Sequence, residues 1–139
     1  MILVVAIVGI FSAIAVPRYS SAVNRYRASL AARKLAADLS MARDRARFTG
    51  VSQLVRFDTS ASSYSMPGVP DPTHRASSYI VMLSDAPYNA KLASVSFSGG
   101  TLSFDCYGAP SSAGMLGIAV GSYTSTVTLD AGTGKATAK

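Results

Sequence analysis

Few residues in this 139-residue chain could do covalent chemistry. There is one histidine, His74, one cysteine, Cys106, and no glutamate; the seven acids are all aspartates, and they are scattered. Zinc sites gather Cys, His and carboxylate ligands at short, regular spacings, and no such spacing occurs. A Ser-His-Asp triad would have to use His74, which lies in a proline-rich loop, and the chain has no nucleophile elbow. Gly99-Gly100 and Gly132-Thr133-Gly134 are turn glycines with no helix after them, so they make no phosphate loop. Neither an enzyme nor a cofactor is expected. Cys106 has no partner for a disulfide within one subunit. What remains is cationic. Residues 18–47 hold Arg18, Arg25, Arg27, Arg33, Lys34, Arg43, Arg45 and Arg47 against Asp38 and Asp44, which accounts for the whole net charge of +6. The chain beyond residue 47 is neutral. Guanidinium groups attract phosphates without reading a base sequence. Arg25, Arg27, Arg33, Lys34, Arg43, Arg45 and Arg47 are therefore candidates for polyanion or inter-subunit contacts, with a solvated helix face as the plain alternative.

These cations sit on a helix. From Val23 to Phe48 there is no Gly or Pro, and Ala, Arg, Leu and Lys, all good helix formers, dominate. Leu35, Leu39, Ala42 and Ala46 recur at spacings of 4, 3 and 4, an apolar stripe along one face. Gly50 is suited to a left-handed residue after the helix end. Arg43, Arg45 and Arg47 complement the negative end of the helix dipole.

In front of the cations lie sixteen uncharged residues, Met1 to Val16, followed by Pro17. They make about 24 Å of helix, slightly short of the roughly 20 residues of a full bilayer span. A signal peptide would show a basic region before the apolar run and a break after it. No Lys or Arg precedes the run here, and the helical pattern continues beyond it. A segment without a polar face needs lipid or like neighbours. Ile2, Val5, Ile7, Ile10, Phe11 and Ile14 are its packing residues. Gly9 and Pro17 weaken the helix between them. The start is expected to be truncated, with residues missing upstream.

After Gly50 the period becomes alternating. Strands are expected at 52–57, 64–66, 79–84, 93–97, 101–104, 117–120, 124–129 and 135–138. Ser98-Gly99-Gly100 carries a hairpin signal between two of them, and 67–78, with three prolines, is expected to be a loop. The fold class is α+β: a long N-terminal α-helix, its apolar half protruding and its amphipathic half packed on an antiparallel β-sheet head. The expected organisation is 1–17 as an apolar membrane-anchor and filament-core helix, 18–50 as an amphipathic basic helix, and 51–139 as the β head, the last two forming one globular domain.

The run from Met1 to Tyr19 (MILVVAIVGIFSAIAVPRY) resembles the N-terminal core of type IV pilins and type II secretion pseudopilins. The remainder is similar to the GspH/FimT-like branch. The residues that carry this are Ala31 to Arg43 with Arg45-Ala46 and Thr49-Gly50, Arg56-Phe57-Asp58, and Ser103-Phe104-Asp105 with Gly108 and Pro110. Val127-Thr128-Leu129 ending in Thr133-Gly134-Lys135 adds to them. The family's acidic residue, about two positions before Met1, has no counterpart among these residues.

The resemblance implies a structural filament subunit, polymerising through its N-terminal hydrophobic helix. Its partners would be copies of itself and other pilins in a helical filament, with a prepilin peptidase and an assembly platform. Its location would be the bacterial inner membrane before assembly and a periplasmic or extracellular filament afterwards. Gly9 and Pro17 would bracket a stretch that melts on assembly. Arginines on the C-terminal side alone would put the head in the cytoplasm by the positive-inside rule; the family's upstream basic leader reverses that. The alternative is a minor pilin acting as a DNA-binding module in DNA uptake. The Arg-rich tail motif of such members is absent, since the tail offers only Lys135 and Lys139.

Overall fold

The computed structural model describes residues 2–72, 74 and 76–139, with side chains from Arg18 onward. Helix α1 runs from Ile2 to Thr49. Eight strands follow: β1 (Gln53–Asp58), β2 (Ser63–Pro70), β3 (Ser78–Met82), β4 (Lys91–Val95), β5 (Thr101–Phe104), β6 (Gly114–Val120), β7 (Tyr123–Leu129) and β8 (Ala136–Ala138). They form two four-stranded antiparallel sheets, ordered β3-β2-β1-β5 and β4-β6-β7-β8. This is the α+β arrangement expected, a long helix against an antiparallel head.

The helix ends where expected. The Gly50 N–H bonds to the Ala46 carbonyl, and Gly50 takes a left-handed φ of 68°. Its buried face is Ala28, Ala31, Ala32, Leu35, Leu39, Ala42 and Ala46, each at most 1% exposed. Alanine dominates this face, so the helix axis can come close to the strands beneath it. Both sheets share the core with it: Val55, Tyr64, Met66, Leu102 and Phe104 from one, Leu116, Ile118, Val127 and Leu129 from the other.

Two expectations fail on backbone chemistry. The loop expected from Pro67 begins later, because β2 continues to Pro70. Its register shifts between Met66 and Pro70, and Gly68 in that stretch takes φ 79°. Side chains occupy the irregular carbonyls: Gln53 Nε2 donates to Pro67 O at 2.9 Å, and Arg45 donates to Gly68 O at 3.1 Å. The expected hairpin around Gly99-Gly100 does not form. β4 pairs with β6, whereas β5 pairs with β1, so this turn carries the chain from one sheet to the other. The cause is an aromatic anchor just before the turn: Phe97 is buried and stacks on Phe57 with ring centroids 5.7 Å apart. A Cβ on Gly100 would meet Phe57 O at 2.9 Å. The turn glycines serve close approach to β1, a demand that hairpin chemistry does not distinguish.

Candidate functional site

The candidate residues lie on α1, and its faces sort them by what they touch. Lys34 faces inward at the edge of the sheet. Its ammonium pairs with Asp38 Oδ1 at 2.8 Å, one helical turn on, and donates to the Tyr79 hydroxyl at 2.7 Å. Asp38 is only 4% exposed, and its Oδ2 accepts from Tyr64 at 2.6 Å and Tyr79 at 2.8 Å. A buried carboxylate is tolerable only when paired and hydrogen-bonded, and this one has three donors. Burial opposes the Lys34 charge, but the bonds to Asp38 and Tyr79 outweigh it and lift its pKa from 10.5 to about 12. Burial, then the Asp38 charge, pushes Tyr64 far above its usual 10.0. Lys34 is thus committed to pinning α1 to β2 and β3.

At the other end of the packed helix, arginines lie on two turns of the head. The Arg43 guanidinium bonds to Asp44 at 2.9 and 3.1 Å and reaches the Thr133 carbonyl at 3.4 Å. Gly134 packs so closely that a Cβ there would meet Gly108 O at 2.6 Å and Arg43 Cδ at 3.1 Å. A Cβ on Gly108 would meet Arg47 Cδ at 2.6 Å. Both turns are tied by an aspartate. Asp105 accepts from the Tyr107 and Ala109 N–H groups, and Asp130 accepts from the Thr133 N–H and hydroxyl. The Thr133 bonds, backbone first, hold the Asp130 carboxyl below its usual range.

Arg18, Arg25, Arg27, Arg33 and Arg47 have no hydrogen-bond or ion-pair partner among the described residues. The face of α1 opposite the core carries exposed apolar groups: Tyr19 at 76%, Tyr26 at 67%, Met41 at 41% and Phe48 at 92%. These four fall at spacings of 7, 15 and 7, close to whole helical turns, so they share a side. The side chains of Ile2, Val5, Ile7, Gly9, Ile10, Phe11, Ile14 and Pro17 lie outside the described residues. The backbone of α1 is helical at all of these positions. Among the described residues, no helix is long and apolar enough to cross a membrane.

Away from the helix, an open groove runs over the outer face of the β3-β2-β1-β5 sheet, between Arg56, Asp58, Ser65, Ile80, Gly100 and Thr101. It holds no nucleophile–base pair, and Asp58 already accepts the Ala61 N–H. His74 is exposed, and its N–H donates to Asp71. Cys106 is exposed and free.

Sequence reasoning missed the Lys34–Asp38 pair, although a spacing of four residues on a helix was a signal that could have found it. Nothing local marked Tyr64 and Tyr79 as its partners, or the contact between Gly108 and Gly134, because those depend on where the strands land.

No protein-family model and no curated protein matches the chain. Among solved structures, it is similar to the type IV minor pilin FimU of Pseudomonas aeruginosa, with a TM-score of 0.63 and 16% identity over 83% of this chain and 90% of that one. The fold is therefore that of a type IV pilin, a long helix laid on an antiparallel β head.

Proposed function

We propose that this chain is a structural subunit of a type IV pilus-like or type II secretion pseudopilus filament, polymerising through the apolar start of α1. One observation carries the reading. Among the described residues, the first of α1 to be fully buried is Ala28, with Asn24 already against the Gly121 turn, while α1 extends more than twenty residues in front of Asn24. The first sixteen of those residues, Ile2 to Pro17, are all uncharged. Such a segment is stable only in lipid or against like helices, which fits an anchor that becomes a filament core. The organisation that follows is 1–17 as anchor and core, with 18–50 and 51–139 together as the head. The likeness to a minor pilin supports the pilin part of this reading. The turn residues Asp105, Gly108 and Gly134 are among those whose resemblance suggests the GspH/FimT-like branch. Residues 9–17, helical in the isolated chain, are the stretch we expect to melt when copies assemble.

The alternative, DNA capture by a minor pilin, draws on the unpartnered Arg33 and Arg47 of the stem. A gel-shift titration of the full chain at low and physiological salt tests it, and steep loss with salt is its signature. The filament reading is tested by electron microscopy of filaments sheared from producing cells. Many copies of this chain in helical array, with residues 1–17 at the axis, is the expected result. Filaments that lack the chain, or a map with residues 1–17 facing solvent, would overturn it.

A further inference from the structure

Residues 18–27 form a segment of their own. They follow the uncharged run that ends at Pro17 and precede the first fully packed residue, Ala28. They hold Arg18, Tyr19, Arg25, Tyr26 and Arg27, and the chain has no acid before Asp38. Tyr19 and Tyr26 are 76% and 67% exposed, and the three arginines are without partners among the described residues. Helical geometry spreads these groups round the axis: Arg18 and Arg25 share one side, Tyr19 and Tyr26 a second, and Arg27 points opposite Arg18. The core-facing side is occupied, since Asn24 Nδ2 lies 3.2 Å from where a Cβ on Gly121 of the β6–β7 turn would be. The result is a collar of cations and phenols below the head.

Resting on the anchor reading above, we infer that this collar binds the headgroups of anionic phospholipids while the subunit sits in the membrane. Heights along the helix support this. At 1.5 Å per residue, Arg18 and Tyr19 lie about 3–5 Å beyond Val16, inside a headgroup layer roughly 5–8 Å deep. Arg25, Tyr26 and Arg27 lie about 13–17 Å beyond it, roughly 5–12 Å outside that layer, on the order of one Debye length at physiological salt. Tyrosines with an apolar ring and a polar tip favour this interface. Each basic residue near an anionic surface contributes to holding it there. The acid nearest to the collar in the chain is already satisfied. Asp38 is filled by Lys34, Tyr64 and Tyr79.

The chain has no tryptophan, so Tyr19→Trp places a single indole at the collar. The full-length variant is reconstituted in vesicles mixing zwitterionic and anionic phospholipid, with a quencher on one headgroup type at a time. Quenching by the anionic label should exceed that by the zwitterionic label, with a local enrichment of about fivefold for each engaged arginine. The preference should vanish in about 1 M salt, where the Debye length falls to about 3 Å. It should also vanish in the added background Arg18→Gln, Arg25→Gln, Arg27→Gln. Equal quenching by both labels would overturn the lipid collar and leave the anchor standing. No quenching by either label would overturn the anchor reading itself. Loss of the preference on adding a DNA oligonucleotide at physiological salt would reassign the collar to nucleic acid.

Discussion

The two basic stretches of α1, Arg18 to Arg27 and Ala28 to Thr49, both carry several cations but differ in physics. From Ala28 to Thr49 every basic residue except Arg33 and Arg47 is bonded to something: Lys34 to Asp38 and Tyr79, Arg43 to Asp44, Arg45 to Gly68. From Arg18 to Arg27 none of the arginines is, among the described residues. The acids explain the difference. All seven accept hydrogen bonds within the chain, most of them from turns of the head that they tie. Most charge in the packed stretch is bonded within the fold, whereas the arginines before it have no bonded partner among the described residues.

The sharpest way to break this comparison is to make the uncovered part charged. Ile7→Arg puts a cation into the apolar segment, at a cost of about 2.5–3.5 kcal/mol at a bilayer centre. Filaments should be absent by electron microscopy, while the head keeps its thermal unfolding transition. Normal filaments from that variant would remove the assembly role of residues 1–17.

On the packed side the largest effect is expected at Leu39, which is 0% exposed between helix and sheets. Leu39→Ala should destabilise the head by about 2–5 kcal/mol, read by denaturant unfolding. Gly134→Ala should cost less, about 1–3 kcal/mol, from a strained φ of 63° and the clash with the Gly108 carbonyl. A shift within error at Gly134 would mean that the Gly108–Gly134 contact carries no energy.

These sites also show what could be read in advance. The buried stripe of Leu35, Leu39, Ala42 and Ala46 was legible because helical periodicity is a local property, and so was the end at Gly50. Most strands were legible by alternation. Which sheet each strand joins was not. A Ser-Gly-Gly turn permits a hairpin or a crossing, and Phe97 packing on Phe57 chose the crossing. The candidate cations were legible as a cluster. Their division into bonded and unbonded members depends on Tyr64 and Tyr79 arriving beside Asp38 from distant strands.

Lys34 and Tyr64 of the Asp38 network predict a pH dependence on the alkaline side. Lys34 and Tyr64 are both raised in the folded state, Lys34 to about 12. A raised pKa contributes stability that is fully present below the unfolded value and is lost as pH rises through the folded one. Stability should therefore be level between neutrality and about pH 10 with respect to these groups, then fall. Tyr64→Phe should remove one donor from Asp38, cost about 1–3 kcal/mol at neutral pH and reduce the alkaline slope. An unchanged slope would show that the fold does not hold the Tyr64 proton and that the network is not formed.

The smallest effect is expected in the collar, and its smallness is the point. Arg18, Arg25 and Arg27 touch no acid in the described chain. Replacing all three by Gln removes no folded-state bond and lowers the repulsion among eight cations between residues 18 and 47. Gln and Arg have similar helix propensity, so the backbone preference is nearly preserved. The stability of the head should change by no more than about 0.5 kcal/mol, the usual range for surface positions. The same number of changes on the packed side, at Lys34, Arg43 and Arg45, should cost measurably more, because an Asp38 left without its cation is a buried charge with two phenols for company. Chemical denaturation of the two triple variants side by side makes the measurement. If both lose stability equally, the division of α1 at Ala28 is wrong, and the collar arginines have partners in the fold.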